Sequence, residues 1–123
     1  MEAPSPARLY AAAFGAALVL LGILGFFYTA SFNGLEDYED AIAGLQVNGW
    51  LNLLYVAAGA VGLLVAGASS RTYALVTGLL FIALAIIGWG SGWLNLVVGV
   101  LGLAAALGTT KSEPRAKPAR QGS

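Results

Sequence analysis

Residues 49–59 read GWLNLLYVAAG and residues 92–102 read GWLNLVVGVLG, so one short pattern occurs twice in the chain. Shared Ala, Leu and Gly are expected by chance in such an apolar sequence, but a shared Trp-Leu-Asn is not. The repeat predicts that both segments fold alike. It also predicts that Asn52 and Asn95 occupy equivalent positions.

The repeat extends to the segments that come before these two. RLYAAAFGAALVLLGILGF, starting at Arg8, aligns without a gap with RTYALVTGLLFIALAIIGW, starting at Arg71. The chain therefore resembles two copies of one helical hairpin, and an acidic loop lengthens the first copy alone. A hairpin ends on the side where it began, so both copies have the same orientation. This predicts a parallel repeat about an axis along the membrane normal.

The composition points to a bilayer as the solvent. Of 123 residues, 59% are hydrophobic and 10% are charged. A water-soluble domain of this size leaves too much surface exposed to hide that apolar content. The net charge is zero, which gives no indication of a nucleic-acid partner, and the chain has neither Cys nor His. Disulfides, thiol chemistry and metal sites built on Cys or His are thereby excluded.

Four apolar runs predict an all-α integral membrane four-helix bundle, since lipid requires every backbone group to be paired internally. The expected divisions are a cytoplasmic segment 1–8, a transmembrane domain 9–108 and a disordered basic cytoplasmic tail 109–123. The four spans are expected at 9–28, 50–67, 72–89 and 93–108. An external acidic loop is expected at 29–49. The first run is interpreted as a retained span because the preceding MEAPSPAR carries no net positive charge.

The basic residues predict the orientation. All of them fall on one side of the predicted spans: Arg8, Arg71, Lys111, Arg115, Lys117 and Arg120. The excess of basic residues marks the cytoplasmic side, so both termini are expected in the cytoplasm and the protein in the inner (plasma) membrane. The tryptophans fall at the opposite interface and are interpreted as anchors there: Trp50, Trp89 and Trp93.

A candidate polar site lies near the outer ends of the second and fourth spans. Asn52 and Asn95 are its equivalent members, Tyr55 lies one turn below Asn52, and Asn48 lies one turn above. These residues either form an interhelical hydrogen-bonded clasp or line a pocket open to the outside. The clasp is favoured because polar side chains commonly join helices in membrane bundles.

No residue pattern indicates catalysis. The predicted spans contain no Asp, Glu, Lys or Arg, and intramembrane proton or ion pathways generally require such groups. We therefore expect no catalytic residues, no cofactor and no metal site, with EDYED as a solvated acidic loop. The expected partners are membrane lipids and a membrane protein or second copy of the chain.

The sequence resembles a family of small bacterial membrane proteins of unknown function, common in high-GC Gram-positive lineages. Its signature on the second helix is Asn-x3-Asn-x2-His-x3-Gly-x2-Gly, matched here by Asn48, Asn52, Gly59 and Gly62. Tyr55 replaces the signature histidine, so no role of that histidine carries over. A looser likeness is to the DoxX-like four-helix proteins.

Together these features predict a structural, accessory or interaction component of the membrane. The alternative is small-molecule or lipid binding, or transport, through an outward-facing pocket around the two asparagines.

Overall fold

The computed structural model describes residues 4–109. Most of this region is helical, which confirms the predicted all-helical fold with four long helices. The helices are α1 (Pro6–Tyr28), α2 (Gly49–Val65), α3 (Ser70–Ile87) and α4 (Gly92–Leu107). Each coincides with one of the four apolar runs. The predicted tail beyond residue 109 lies outside the described residues.

Capping residues, proline and glycine in the local sequence determine where the helices begin and end. α1 begins at Pro6, three residues before the predicted span, because Ser5 accepts the backbone N–H of Arg8 at 3.1 Å and Pro stands in the first turn. α2 begins after Asn48, whose Oδ1 accepts the N–H of Leu51 at 2.8 Å. α3 ends at Gly88, which adopts a left-handed φ of 80° that favours glycine.

The helices pack as two close pairs, α1 with α2 and α3 with α4. Glycines allow the two helices of each pair to approach closely. A Cβ placed on Gly59 of α2 would lie 2.5 Å from the carbonyl oxygen of Gly15 in α1. A Cβ on Gly78 of α3 would lie 2.7 Å from the backbone nitrogen of Leu103 in α4. Backbone therefore meets backbone within each hairpin, the geometry that small residues permit.

The connection between α1 and α2 contains the only strands in residues 4–109. β1 (Glu39–Asp40) and β2 (Gln46–Val47) pair antiparallel around a 3₁₀ turn at Ile42–Gly44. The loop carboxylates are exposed, whereas Leu45 and Val47 are buried. The expected acidic loop is thus solvated on one side and packed against the helices on the other.

Two of the helices, α1 and α3, are long and apolar enough to cross a membrane. α2 and α4 are also apolar but are shorter, at 17 and 16 residues. Beyond α4, Thr109 is buried although the sequence places it in the tail. Its hydroxyl accepts the N–H of Ala7 at 2.9 Å and donates to the carbonyl of Ala105 at 2.7 Å. The packed region therefore extends at least to Thr109.

Candidate functional site

Asn52 ties the second helix to the end of the first. Its side chain is fully buried, and Nδ2 donates to the carbonyl of Thr29, the C-cap of α1, at 3.0 Å. Gly25 makes room for the amide, since a Cβ there would collide with the Asn52 side chain. Asn52 therefore closes the outer end of the first hairpin.

Asn95 makes the corresponding hydrogen bond in the second hairpin. It too is fully buried, and its Nδ2 donates at 2.8 Å to the carbonyl of Trp89, one residue past the C-cap of α3. The Oδ1 atoms of both asparagines have no hydrogen-bond partner within the described residues. No hydrogen bond therefore joins Asn52 to Asn95, and each amide acts inside its own hairpin.

Tyr55 and Asn48, the other two members of the predicted polar site, have different surroundings. Tyr55 is fully buried and stacks against Phe81 of α3, with ring centroids 6.5 Å apart. Its hydroxyl has no partner among residues 4–109. Both polar atoms of the Asn48 side chain form hydrogen bonds. Its Nδ2 donates to the carbonyl of Leu35 at 2.8 Å, and its Oδ1 caps α2. An Asn directly before a helix is a recognisable N-cap signal.

The three tryptophans all lie at the end of the bundle that carries the loop, but they are not equivalent. Trp50 donates Nε1–H to the carbonyl of Phe32 at 3.1 Å and meets that ring edge-on. Trp89 is half-buried and donates to the carbonyl of Leu35 at 2.7 Å. Trp93 is 50% exposed. The first two therefore hold the loop, in addition to any anchoring they provide at an interface.

The loop covers the same end of both hairpins. Besides the Trp89 bond, the N–H of Gly90 donates to the hydroxyl of Tyr38 at 3.1 Å, and the N–H of Gln46 donates to Oγ of Ser91 at 2.8 Å. The two asparagines and Tyr55 lie fully buried beneath it. In this structure these three side chains therefore form a closed site.

The repeated arginines, Arg8 and Arg71, lie at the end of the bundle opposite the loop, which is called the arginine end below. Arg8 of α1 donates Nη2–H to the carbonyl of Gly67, just beyond α2, at 3.3 Å. Arg71 of α3 donates Nε–H to the carbonyls of Ala106 and Thr109, at the end of α4, at 3.2 and 3.3 Å. A cation at a helix C-terminus satisfies carbonyls that have no intrahelical partner. Each arginine therefore caps the other helix of its own hairpin.

The repeated tyrosines join the two hairpins. Tyr10 of α1 donates its hydroxyl to the carbonyl of Val98 in α4 at 2.8 Å. Tyr73 of α3 donates to the carbonyl of Ala58 in α2 at 2.7 Å. Their ring centroids are 6.0 Å apart. The ungapped alignment of the two sequence copies marks these tyrosines as equivalent, since both follow the pattern Arg-x-Tyr-Ala.

Most polar side chains of the site are engaged with the backbone. Asn52, Asn95, Tyr10 and Tyr73 donate to backbone carbonyls, and the carboxylates are exposed in the loop. Within the described residues no three His, Cys, Asp or Glu side chains are grouped so that they could hold a metal ion. What the arrangement does chemically is to fasten helix ends and helix pairs.

The fold defines an all-helical protein of four apolar helices paired as two hairpins, with two helices able to span a membrane. The chain belongs to the family described as a domain of unknown function, DUF4383, whose model matches residues 8–93. The match covers α1, the loop, α2 and α3 and stops at the start of α4. It confirms the predicted membership in a family of unknown function. No curated protein and no solved structure matches the chain.

Proposed function

We propose that this protein is an integral membrane scaffold that acts through packing and interaction, not catalysis. The observation that carries the proposal is the distribution of side chains. The outward faces of the helices are apolar, with Phe27, Leu64 and Ile86 at 82, 83 and 79% exposure. The polar side chains buried within the helices include Asn52, Asn95, Tyr10, Tyr55 and Tyr73. Exposed apolar surface on every helix is unfavourable in water and suits lipid.

The helix lengths are compatible with four spans. α1 has 23 residues and α3 has 18. At a rise of about 1.5 Å per residue, α2 and α4 extend about 25 Å, slightly less than the roughly 30 Å hydrocarbon core. A bilayer accommodates such a mismatch at modest cost by thinning locally. Each hairpin would then cross and return, placing both termini on the same side.

The charges support cytoplasmic termini. Arg8 and Arg71 lie at one end of the bundle, and the carboxylates of the loop lie at the other. In the sequence, further basic residues follow α4. Under the positive-inside rule, this end faces the cytoplasm.

A single-cysteine experiment tests the membrane arrangement, since the natural chain has no Cys. Gly67→Cys lies at the arginine end and Gly92→Cys at the loop end, and a Cβ at either position meets nothing within 4 Å. With a membrane-impermeant maleimide on intact cells, we expect labelling of Gly92→Cys alone. Gly67→Cys should be labelled only after permeabilisation. Labelling of both variants in intact cells, or recovery of the chain in the soluble fraction, would refute the arrangement.

A second candidate, binding of a small lipophilic molecule beneath the loop, is favoured by three buried polar atoms that have no hydrogen-bond partner among residues 4–109. They are Oδ1 of Asn52, Oδ1 of Asn95 and the hydroxyl of Tyr55. Each such group costs about 1–3 kcal/mol when unsatisfied. A ligand with hydrogen-bond donors would remove part of this cost.

Native mass spectrometry after mild extraction separates the two candidates. As a scaffold, the protein should retain a membrane protein or a second copy in fixed stoichiometry. Asn52→Leu with Asn95→Leu should then lower the unfolding temperature and release no small molecule. A small molecule retained by the natural chain but lost in a folded double variant would instead establish the binding function.

A further inference from the structure

A groove between α2 and α3 has no partner element within residues 4–109. It is shaped as a surface channel of about 440 Å³, within the range of small-molecule sites. Its walls are almost entirely apolar. They include Ala57, Ala58 and Val61 of α2 and Tyr73, Val76 and Thr77 of α3.

Three positions that line the groove differ in size between the two sequence copies. In the alignment of the copies, Thr77 corresponds to Phe14, which stacks on Tyr10 with ring centroids 4.9 Å apart. Ala57 and Ala58 of α2 correspond to the larger Val100 and Leu101 of α4. At these three positions the groove is lined by smaller side chains than those at the equivalent positions of the other copy.

The length of the groove indicates whether it binds a partner helix or an acyl chain. Along α2 it runs from Leu54 to Val65, close to the arginine end. At about 1.5 Å per residue this is about 16 Å, close to half of the roughly 30 Å hydrocarbon core. A partner transmembrane helix would contact the full thickness, whereas an acyl chain in one leaflet occupies half. The groove therefore fits an acyl chain of the leaflet at the arginine end.

The polar end of the groove indicates the headgroup. Ser69 and Thr72 line that end of the groove. Arg8 and Arg71 lie at the same end of the bundle, where they donate to carbonyls just beyond α2 and at the end of α4. The hydroxyl of Ser69 caps no backbone N–H of α3. Within residues 4–109 every carboxylate lies in the loop at the opposite end of the bundle. This end therefore favours a negative headgroup.

We propose that the α2–α3 groove binds one acyl chain of an anionic phospholipid of the cytoplasmic leaflet, with the phosphate beside Ser69 and Thr72. The inference rests on the proposed membrane location and names the lipid that the scaffold selects. It differs from the second candidate function, which concerns the closed site beneath the loop.

The test compares phosphatidylglycerol with phosphatidylcholine of identical chains, added to the purified full-length protein in detergent and followed by native mass spectrometry. We expect one phosphatidylglycerol per chain, in preference to phosphatidylcholine. Thr77→Phe places in the groove the side chain already present at the equivalent site, and should weaken binding about tenfold or more. If Thr77→Phe is not monodisperse, Ala57→Val with Ala58→Leu fills the groove from the other wall.

A separate variant, Ser69→Asp, tests recognition of the lipid headgroup. Ser69→Asp places a negative charge beside the phosphate position, while Asp is a favourable residue before a helix. We expect the preference for phosphatidylglycerol to disappear with no loss of stability. Ala17→Leu, which adds bulk at the first-hairpin position equivalent to Leu80, is the matched control and should leave binding unchanged.

Equal binding of both lipids, or unchanged phosphatidylglycerol binding in a folded groove-filling variant, would overturn the inference. So would loss of a second protein chain, instead of lipid, from the complex when the groove is filled. If the lipid-binding test fails but the cysteine labelling is as expected, only the lipid site is refuted. If the cysteine labelling fails, the proposed membrane location is refuted as well.

Discussion

Tyr10 and Tyr73 show how equivalent residues can join two similar hairpins. Each lies near the start of the first helix of its hairpin and donates its hydroxyl to a carbonyl of the second helix of the other hairpin. Glycines provide the space, since a Cβ on Gly102 would approach the Tyr10 hydroxyl and one on Gly62 the Tyr73 ring, both at 2.7 Å. Two contacts, one from each tyrosine, thus join the two hairpins.

Removing either hydroxyl should weaken the association of the hairpins. For Tyr10→Phe and for Tyr73→Phe we expect a loss of about 0.5–1.5 kcal/mol in the free energy of unfolding, the usual net value of one hydrogen bond. Unfolding of the detergent-solubilised protein by denaturant measures the loss. Tyr28→Phe, at a tyrosine that is 49% exposed, is the control. If all three variants unfold alike, the hydroxyls contribute no net stability.

Within each pair of helices, close backbone approach sets the geometry. The carbonyl of Gly15 and the backbone nitrogen of Val19 both face Gly59 across the first pair. Backbone atoms cannot move aside as the end of a flexible side chain can. The distance between α1 and α2 therefore depends on the absence of a side chain at Gly59.

Gly59→Ala should accordingly separate α1 from α2. Its Cβ would lie 2.5 Å from the Gly15 oxygen and 2.6 Å from the Val19 nitrogen. We expect a cost of about 1–3 kcal/mol from overpacking, seen as a lower thermal transition. Gly67→Ala, where a Cβ meets nothing within 4 Å, should be neutral. A Gly59→Ala protein as stable as this control would show that the helices can separate without penalty.

Taken as a whole, the molecule is held together differently at its two ends. At the arginine end, each arginine caps a helix of its own hairpin, and the tyrosines connect the hairpins. At the other end, the loop that lengthens the first hairpin reaches the α3–α4 turn through Leu35, Tyr38 and Gln46. The loop therefore performs a connecting role that the shorter turn of the second hairpin cannot.

Much of the helical framework follows from local sequence. Apolar runs bounded by Ser-Pro, by Asn before Gly-Trp and by glycine in the left-handed region specify where helices begin and end, since these signals act within a turn or two of the chain. The alignment of the two copies also identifies Asn52 with Asn95 and Tyr10 with Tyr73 as equivalent pairs. Neither inference requires knowledge of how helices are placed.

The hydrogen-bond partners of those residues could not be predicted from the sequence in the same way. Asn52 and Asn95 each act within one hairpin, whereas the tyrosines act between hairpins, and no spacing in the sequence distinguishes the two cases. The burial of Tyr55 under the loop and the groove beside Thr77 likewise depend on how four helices and one loop are placed together. Helix formation is determined by neighbours along the chain, but hydrogen-bond partners and open space are determined by residues that meet only after the helices have packed.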